Sequence, residues 1–202
     1  MTYTPIENRL GIQPIAVANV PAQASANLQT GQSPYFGKAH ALGTIVRADD
    51  PIFGEGEFIY LQMAATQVIG SMVTWGGFGT VVGDGTNSEA QYQASLSTTG
   101  ANQDRLVGFA MSAFPTGAPA TAFGWFQIGG HAVALTNGSN IGAVPGPVFQ
   151  DSATAGVVGT TGTQAGRQVL RATAILQRGA APLSGNLALL EIDRPLLQGQ
   201  IV

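Results

Sequence analysis

The sequence predicts an all-β protein: an antiparallel β-sandwich or barrel of short strands, preceded by an extended N-terminal arm. Three observations predict it. From Thr44 onward, short runs of aliphatic, aromatic and β-branched residues are separated by Gly, Asn, Asp and Pro, the punctuation of strands and turns. No alternation of strand and helix patterns appears, so a doubly wound sheet is not expected. Helix has little room, because 28 glycines are spread over 202 residues. Only 88–96 (SEAQYQASL), with Ser88 as cap, reads as two helical turns.

The chain divides at residue 43. In residues 1–43, Pro5, Pro14, Pro21 and Pro34 recur among small residues (PIAVANVPAQASANLQTG), and no period of 2 or 3.6 persists. This is an extended arm, and an arm with so little charge is expected to lie along another surface. Residues 44–202 form the β-rich body. Its strands are expected at 57–63 (EFIYLQM), 67–75 (QVIGSMVTW), 105–112 (RLVGFAMS), 123–128 (FGWFQI), 131–136 (HAVALT), 168–178 (QVLRATAILQR) and 187–194 (LALLEIDR). In the last, Ala188, Leu190 and Ile192 share one face while Glu191 and Asp193 take the other. In the strand before it, Leu170, Ala172, Ala174 and Leu176 oppose Arg171, Thr173 and Gln177, and GAAPLSGN is a loop, so the two form an antiparallel pair. The Gly-rich stretch 156–166 reads as a loop or small hairpin.

Composition narrows the function. Charged residues are 9% of the chain, against roughly 25% in an ordinary soluble domain. The outside must therefore be Thr, Ser, Gln, Asn and backbone, which costs less to desolvate than a Lys- and Glu-rich surface. An extensive protein contact follows as the expectation. Net charge is −3, with Lys38 the single lysine and no basic stripe, so nucleic acid is not an expected partner. Cysteine is absent, which removes disulfides and thiolate metal sites. The N-terminal MTYTPIENRLGIQPIAV does not read as a secretory signal. The uncharged stretch between Arg105 and Asp151 is broken by Pro115, Pro119, Gly124, Gln127, Gly129 and Gly130, well short of the ~18 apolar residues of a membrane span.

The constellations that carry chemistry elsewhere fail here. In GQSPYFGKA, five residues separate Gly31 and Gly37 and Ala39 follows Lys38; a phosphate loop needs four and then Ser or Thr. Asp49, Asp50, Glu55 and Glu57 are the densest charge in the chain. They resemble an acid–base pair or cation ligands less than a polar turn around Pro51. Asp84, Asn87 and Glu89 lack calcium-loop spacing. His40 and His131 are the two histidines; with an unbroken register His131 shares a strand face with Trp125, Gln127 and Val133, where a hydrogen-bonded wall or interface residue is expected. GSNIG at 138–142 is not a nucleophile elbow, and Asn137-Gly138-Ser139 reads as a turn. Phe123, Trp125, Phe126, Trp75 and Phe78 are expected in core or interface packing, with a sugar platform as the alternative. No enzyme activity and no cofactor or metal is expected.

Three stretches taken together carry a resemblance: GEGEFIYLQMAATQVIGSMVTW (54–75), FGWFQIGGHAVALTN (123–137) and AGVVGTTGTQAGRQVLRATAILQ (155–177), with LALLEIDRP closing the chain. In these, over about residues 50–195, the chain resembles the head decoration, or cement, proteins of tailed bacteriophages. The resemblance implies a β-rich protein made in the host bacterial cytoplasm and carried on the capsid exterior of the virion. It implies a homo-oligomer, a trimer being favoured, that clamps neighbouring major capsid subunits and stabilises the shell. Residues 1–43 fall outside the strongest similarity. In that arm Ile6, Ile12, Ile15, Val17, Val20, Tyr35 and Phe36 are the expected capsid or inter-protomer contacts. The alternative is a tail-associated or receptor- and glycan-binding β module of a virion.

Overall fold

A computed structural model of the chain describes residues 4–5, 15, 39–64, 66–76, 92–101, 103–114, 122–137, 144–159, 166–176, 183 and 185–199. Eleven strands run through them: β1 (Thr4–Pro5), β2 (Ile45–Asp50), β3 (Gly54–Gln62), β4 (Met72–Trp75), β5 (Ser95–Leu96), β6 (Leu106–Ala110), β7 (Phe123–Leu135), β8 (Gly146–Gln150), β9 (Val158–Gly159), β10 (Gln168–Leu176) and β11 (Leu187–Leu197). Every strand ladder is antiparallel. The order is β1-β2-β3-β7-β6-β11-β10-β8-β9, with β4 on β6 and β5 on β4. The all-β, antiparallel expectation holds. The sandwich or barrel is not clearly formed: β1 and β9 end the order without pairing to each other, so the sheet is open.

The strand β7 organises this sheet. Its N-terminal half pairs β3 (Phe58 opposite Gln127, Gln62 opposite Phe123), and its C-terminal half pairs β11 (Leu187 opposite Leu135, Asp193 opposite Gly129). The sequence suggested two strands here, divided at Gly129–Gly130. The two glycines instead bend one continuous strand, with Gly130 at φ +84°. A Cβ on Gly130 would lie 2.2 Å from the Glu55 carbonyl oxygen, so the crossing strand approaches too closely for any side chain. Neighbouring strands break at the same level. The β3 ladder slips between Glu57 and Phe58. Arg194 (φ 43°) bends β11 beyond Asp193, and Arg171 (φ 58°) bulges β10 between Leu170 and Ala172. These irregularities form one line along which the sheet turns a corner. The Gln127 side chain, buried at the line, donates from Nε2 to the carbonyls of Gly129 and His131, each at 3.0 Å.

Apolar packing lies on both faces of β7, which is why FGWFQI does not alternate with polar residues. Phe123, Trp125 and Val133 enter a cluster with Phe53, Phe58, Tyr60, Met111 and Leu189. Phe126 and Ile128 enter a second cluster with Ile59, Leu61, Val73 and Ala110. Ala132 and Ala134 enter a third with Met72, Phe109, Leu190 and Val169. Trp125, Tyr60, Phe58, Phe109 and Phe126 are each fully buried, worth about 3 kcal/mol apiece in transfer from water.

The C-terminal pair forms as expected, and Ala188, Leu190 and Ile192 are buried while Glu191 and Asp193 are exposed. The bulge at Arg171 changes the face of β10, so Val169, not Leu170, joins Ala172 and Ala174 in the core. Of the expected strand 67–75 only Met72–Trp75 forms. Gln67 turns back through its side chain, accepting from Ala64 N–H and donating to Ser112 O. The two-turn helix is not present where the chain is described: Ser95–Leu96 is strand β5 against β4, and residues 88–91 lie outside the described residues. In the 156–166 stretch, Val158–Gly159 pairs β8.

The 1–43 segment touches the body at Thr4–Pro5, at Ile15 and along 39–43, where Gly43 N–H donates to the Tyr60 carbonyl and Leu42 packs on the Tyr60 cluster. Thr4–Pro5 pairs Asp49 and Ala48 at the outer edge of β2. Ile15 is 1% exposed and enters the Phe58–Tyr60–Trp125 cluster. At these points the segment lies on its own chain.

Candidate interaction surface

The acidic group resolves into structural side chains. β2 and β3 form a hairpin closed at Asp50 opposite Gly54. Asp50 is buried, and its Oδ1 accepts N–H bonds from Ile52 (2.8 Å) and Phe53 (3.1 Å). Phe53 folds into the core, and its carbonyl meets His131 Nδ1 at 3.0 Å. The turn is thus pinned from inside, and Ile52, between Pro51 and Phe53, is left 67% exposed at its tip. Glu55 lies 3.5 Å from Arg47 on the solvent face. Glu57 accepts two bonds from Arg194, Nε at 2.9 Å and Nη2 at 2.8 Å, a bidentate pair across the corner line. Those bonds hold the Glu57 carboxyl below its ordinary value; partial desolvation opposes them, and the charges of Arg194 and Arg47 add to them. Asp50, Glu55 and Glu57 are therefore engaged separately, by the turn, Arg47 and Arg194, while Asp49 lies on the exposed face of β2 opposite Glu55.

His131 behaves as the expected wall residue, on the face that carries Trp125 and Val133. His40 lies elsewhere, between the rings of Tyr60 and Trp125, at centroid distances of 5.2 Å to each. Burial pushes its imidazole below the ordinary value, and burial pushes the Tyr60 phenol up to about 12. The Tyr60 oxygen accepts the Ala39 N–H at 3.3 Å. Trp125 is 0% exposed, and its indole N–H has no acceptor among the described residues. Phe123, Trp125 and Phe126 are all buried, so they offer no platform to a sugar. Asn137 donates to Asp151 Oδ2 at 2.6 Å, and Asp151 Oδ1 accepts from Ala153 and Thr154 in a turn of its own; Gly138 and Ser139 of the expected 137–139 turn lie outside the described residues. Among the described residues no group of three His, Asp or Glu is placed to hold a metal. None of the described helical segments is long and apolar enough to cross a membrane.

The surface feature that remains is an apolar cleft of about 180 Å³, lined by Ile45, Trp75, Leu106, Val107, Ile128 and Pro195, with Arg194 at its rim. Five strands supply it. Ile45 begins β2, Trp75 ends β4, and Leu106 begins β6 opposite Trp75. Ile128 comes from β7 beside the bend, and Pro195 follows the kink in β11. Ile45 and Leu106 are each 39% exposed. Sequence reasoning missed this cleft, because its residues become neighbours only through the sheet; the one local sign is Ile45 on the outward face of β2 with Arg47 and Asp49.

Of the expected contact residues, Ile15 is buried in its own chain. Ile6, Ile12, Val17, Val20, Tyr35 and Phe36 lie outside the described residues, as do Lys38, Phe78, Asp84, Asn87 and Glu89. No protein-family model matches the sequence, and a search of curated proteins finds no match.

Proposed function

We propose that this chain is a non-enzymatic structural protein of a tailed-phage virion that binds the outside of the capsid and clamps neighbouring major capsid subunits. The observation that carries the reading is where the resembling stretches fall in the fold. The 54–75, 123–137, 155–177 and 187–195 segments supply β3, β4, β7, β10 and β11, and β3-β7-β11-β10 pair as a continuous block at the centre of the sheet. The resemblance therefore covers one cooperative unit, not scattered strands. Supporting it, Asp50, Glu57 and Asp151 are tied into hairpin, corner and turn contacts, and charged residues are 9% of the chain. On this reading the bent sheet is a sandwich-like body, and an oligomer of it gains avidity from several modest contacts with the shell.

Quantitative co-sedimentation with full and empty capsids of the source virus tests the proposal. Saturable binding at a fixed ratio to the major capsid protein, with improved heat resistance of full particles, is the expected result. Absence of binding would discard the capsid role and favour a tail-associated or glycan-binding module.

A further inference from the structure

We infer that residues 39–43 form an acid-released latch: neutral His40 keeps the segment seated on Tyr60 and Trp125, and a proton on His40 lets it go. Its holds converge on one residue of β3. Ala39 N–H donates to the Tyr60 phenol oxygen at 3.3 Å, and Gly43 N–H to the Tyr60 carbonyl at 2.8 Å. Between them the His40 ring stands 5.2 Å from the ring centroids of both Tyr60 and Trp125, at 89° to the first. Leu42 packs on the same cluster, and Ile15 is buried in it. The seat is fitted: Gly43 (φ +81°) turns the chain in so closely that a Cβ there would lie 2.4 Å from the Tyr92 ring. One aromatic pocket thus holds two separate points of the 1–43 segment.

The pocket suits an imidazole and not an imidazolium. Tyr60 and Trp125 are both fully buried, so a cation seated between them gives up water that aromatic faces replace only in part. Burial wins that balance and holds His40 below its ordinary value. Among the described residues, the titratable groups on the packed elements are phenols: Tyr60 on β3, pushed up to about 12 and so neutral in this range, and Tyr92 beside Gly43. From β7 comes Trp125, which does not titrate. The direction follows. Released, His40 returns to about 6.5, so the latch is at full strength above that value. It weakens by up to about tenfold per unit as pH falls toward the docked value, and no further below it. The Thr4–Pro5 pairing on β2 is a separate attachment. The latch needs no capsid, so it stands apart from the decoration reading.

Hydrogen exchange of the full-length chain between about pH 7.5 and 5.5, divided by the intrinsic rate at each pH, tests it. The Ala39 and Gly43 amides are expected to lose protection by about threefold or more, while β7 and β11 keep theirs. His40→Phe should flatten the profile, as should His40→Gln if the phenyl ring disturbs the seat, because neither side chain takes up a proton. A second readout uses Trp125. With Trp75→Phe it is the single tryptophan of the chain, and its emission reports the imidazole beside it. Emission and Gly43 exchange are expected to change with one midpoint. Unchanged protection at 39–43 would overturn the inference, and so would protection lost in step across the whole sheet, which is global unfolding. Emission that titrates while Gly43 exchange stays flat would overturn it too, since His40 would then take its proton without leaving its seat. So would wild-type pH dependence surviving in both His40 variants, which would assign the effect to another group.

Discussion

Gly130 concentrates the strain of the corner in one residue. It combines a left-handed backbone with a carbonyl oxygen 2.2 Å from where a Cβ would lie. Gly130→Ala is therefore expected to lower the unfolding free energy by about 3 kcal/mol, read by urea denaturation, whereas alanine at Gly54, left-handed but with open space around it, should cost about 1 kcal/mol. Two titrations report other single residues. The folded state holds the Glu57 carboxyl low through Arg194, so its contribution is complete above the unfolded value of about 4.3 and is lost as pH falls through the folded one. Glu57→Gln should lower the thermal midpoint at neutral pH and flatten its fall in acid. His40 is held below its ordinary value by burial beside Tyr60 and Trp125. Stability from that site is complete above about 6.5 and declines as pH falls toward the folded value, because the unfolded chain takes up the proton first. His40→Phe should remove this earlier decline and leave the Glu57 step, which separates the two groups in one set of melting curves.

At the level of elements, what was legible in the sequence was whatever declares itself within a strand. β3, β6, β10 and β11 follow from short apolar runs between turns, and the faces of β11 follow from alternation. The failures have a common cause in long-range pairing. Gly129–Gly130 carries the signature of a turn, yet β3 and β11 on either side hold β7 straight enough to be one strand. β2 has perfect alternation of exposed and buried residues, but Asp49-Asp50-Pro51 reads locally as a turn, and only pairing with β3 makes it strand. β8 begins with Gly-Pro and forms because β10 and β9 flank it. The turn role of Asp50 was legible from its place beside Pro51, while the cleft, assembled from five strands, had no linear trace. Ile15 makes the same point for the arm: a residue from a segment without periodicity is buried beside Trp125. Ile15→Ala should cost about 3 kcal/mol in denaturant unfolding, as for a core aliphatic. A cost under about 0.5 kcal/mol, typical of surface sites, would show that the arm does not stabilise the body.

For the whole molecule, scarcity of charge sets how it meets a partner. With charged residues at 9% of the chain, docking on a shell would draw on apolar burial and backbone hydrogen bonds, which salt screens little, and not on steering between charged surfaces. Capsid binding is therefore expected to change by less than about tenfold between low and high salt, read by co-sedimentation across a sodium chloride series. A steep loss of binding with salt would mean that charge pairing with the shell, and not apolar burial, carries the contact.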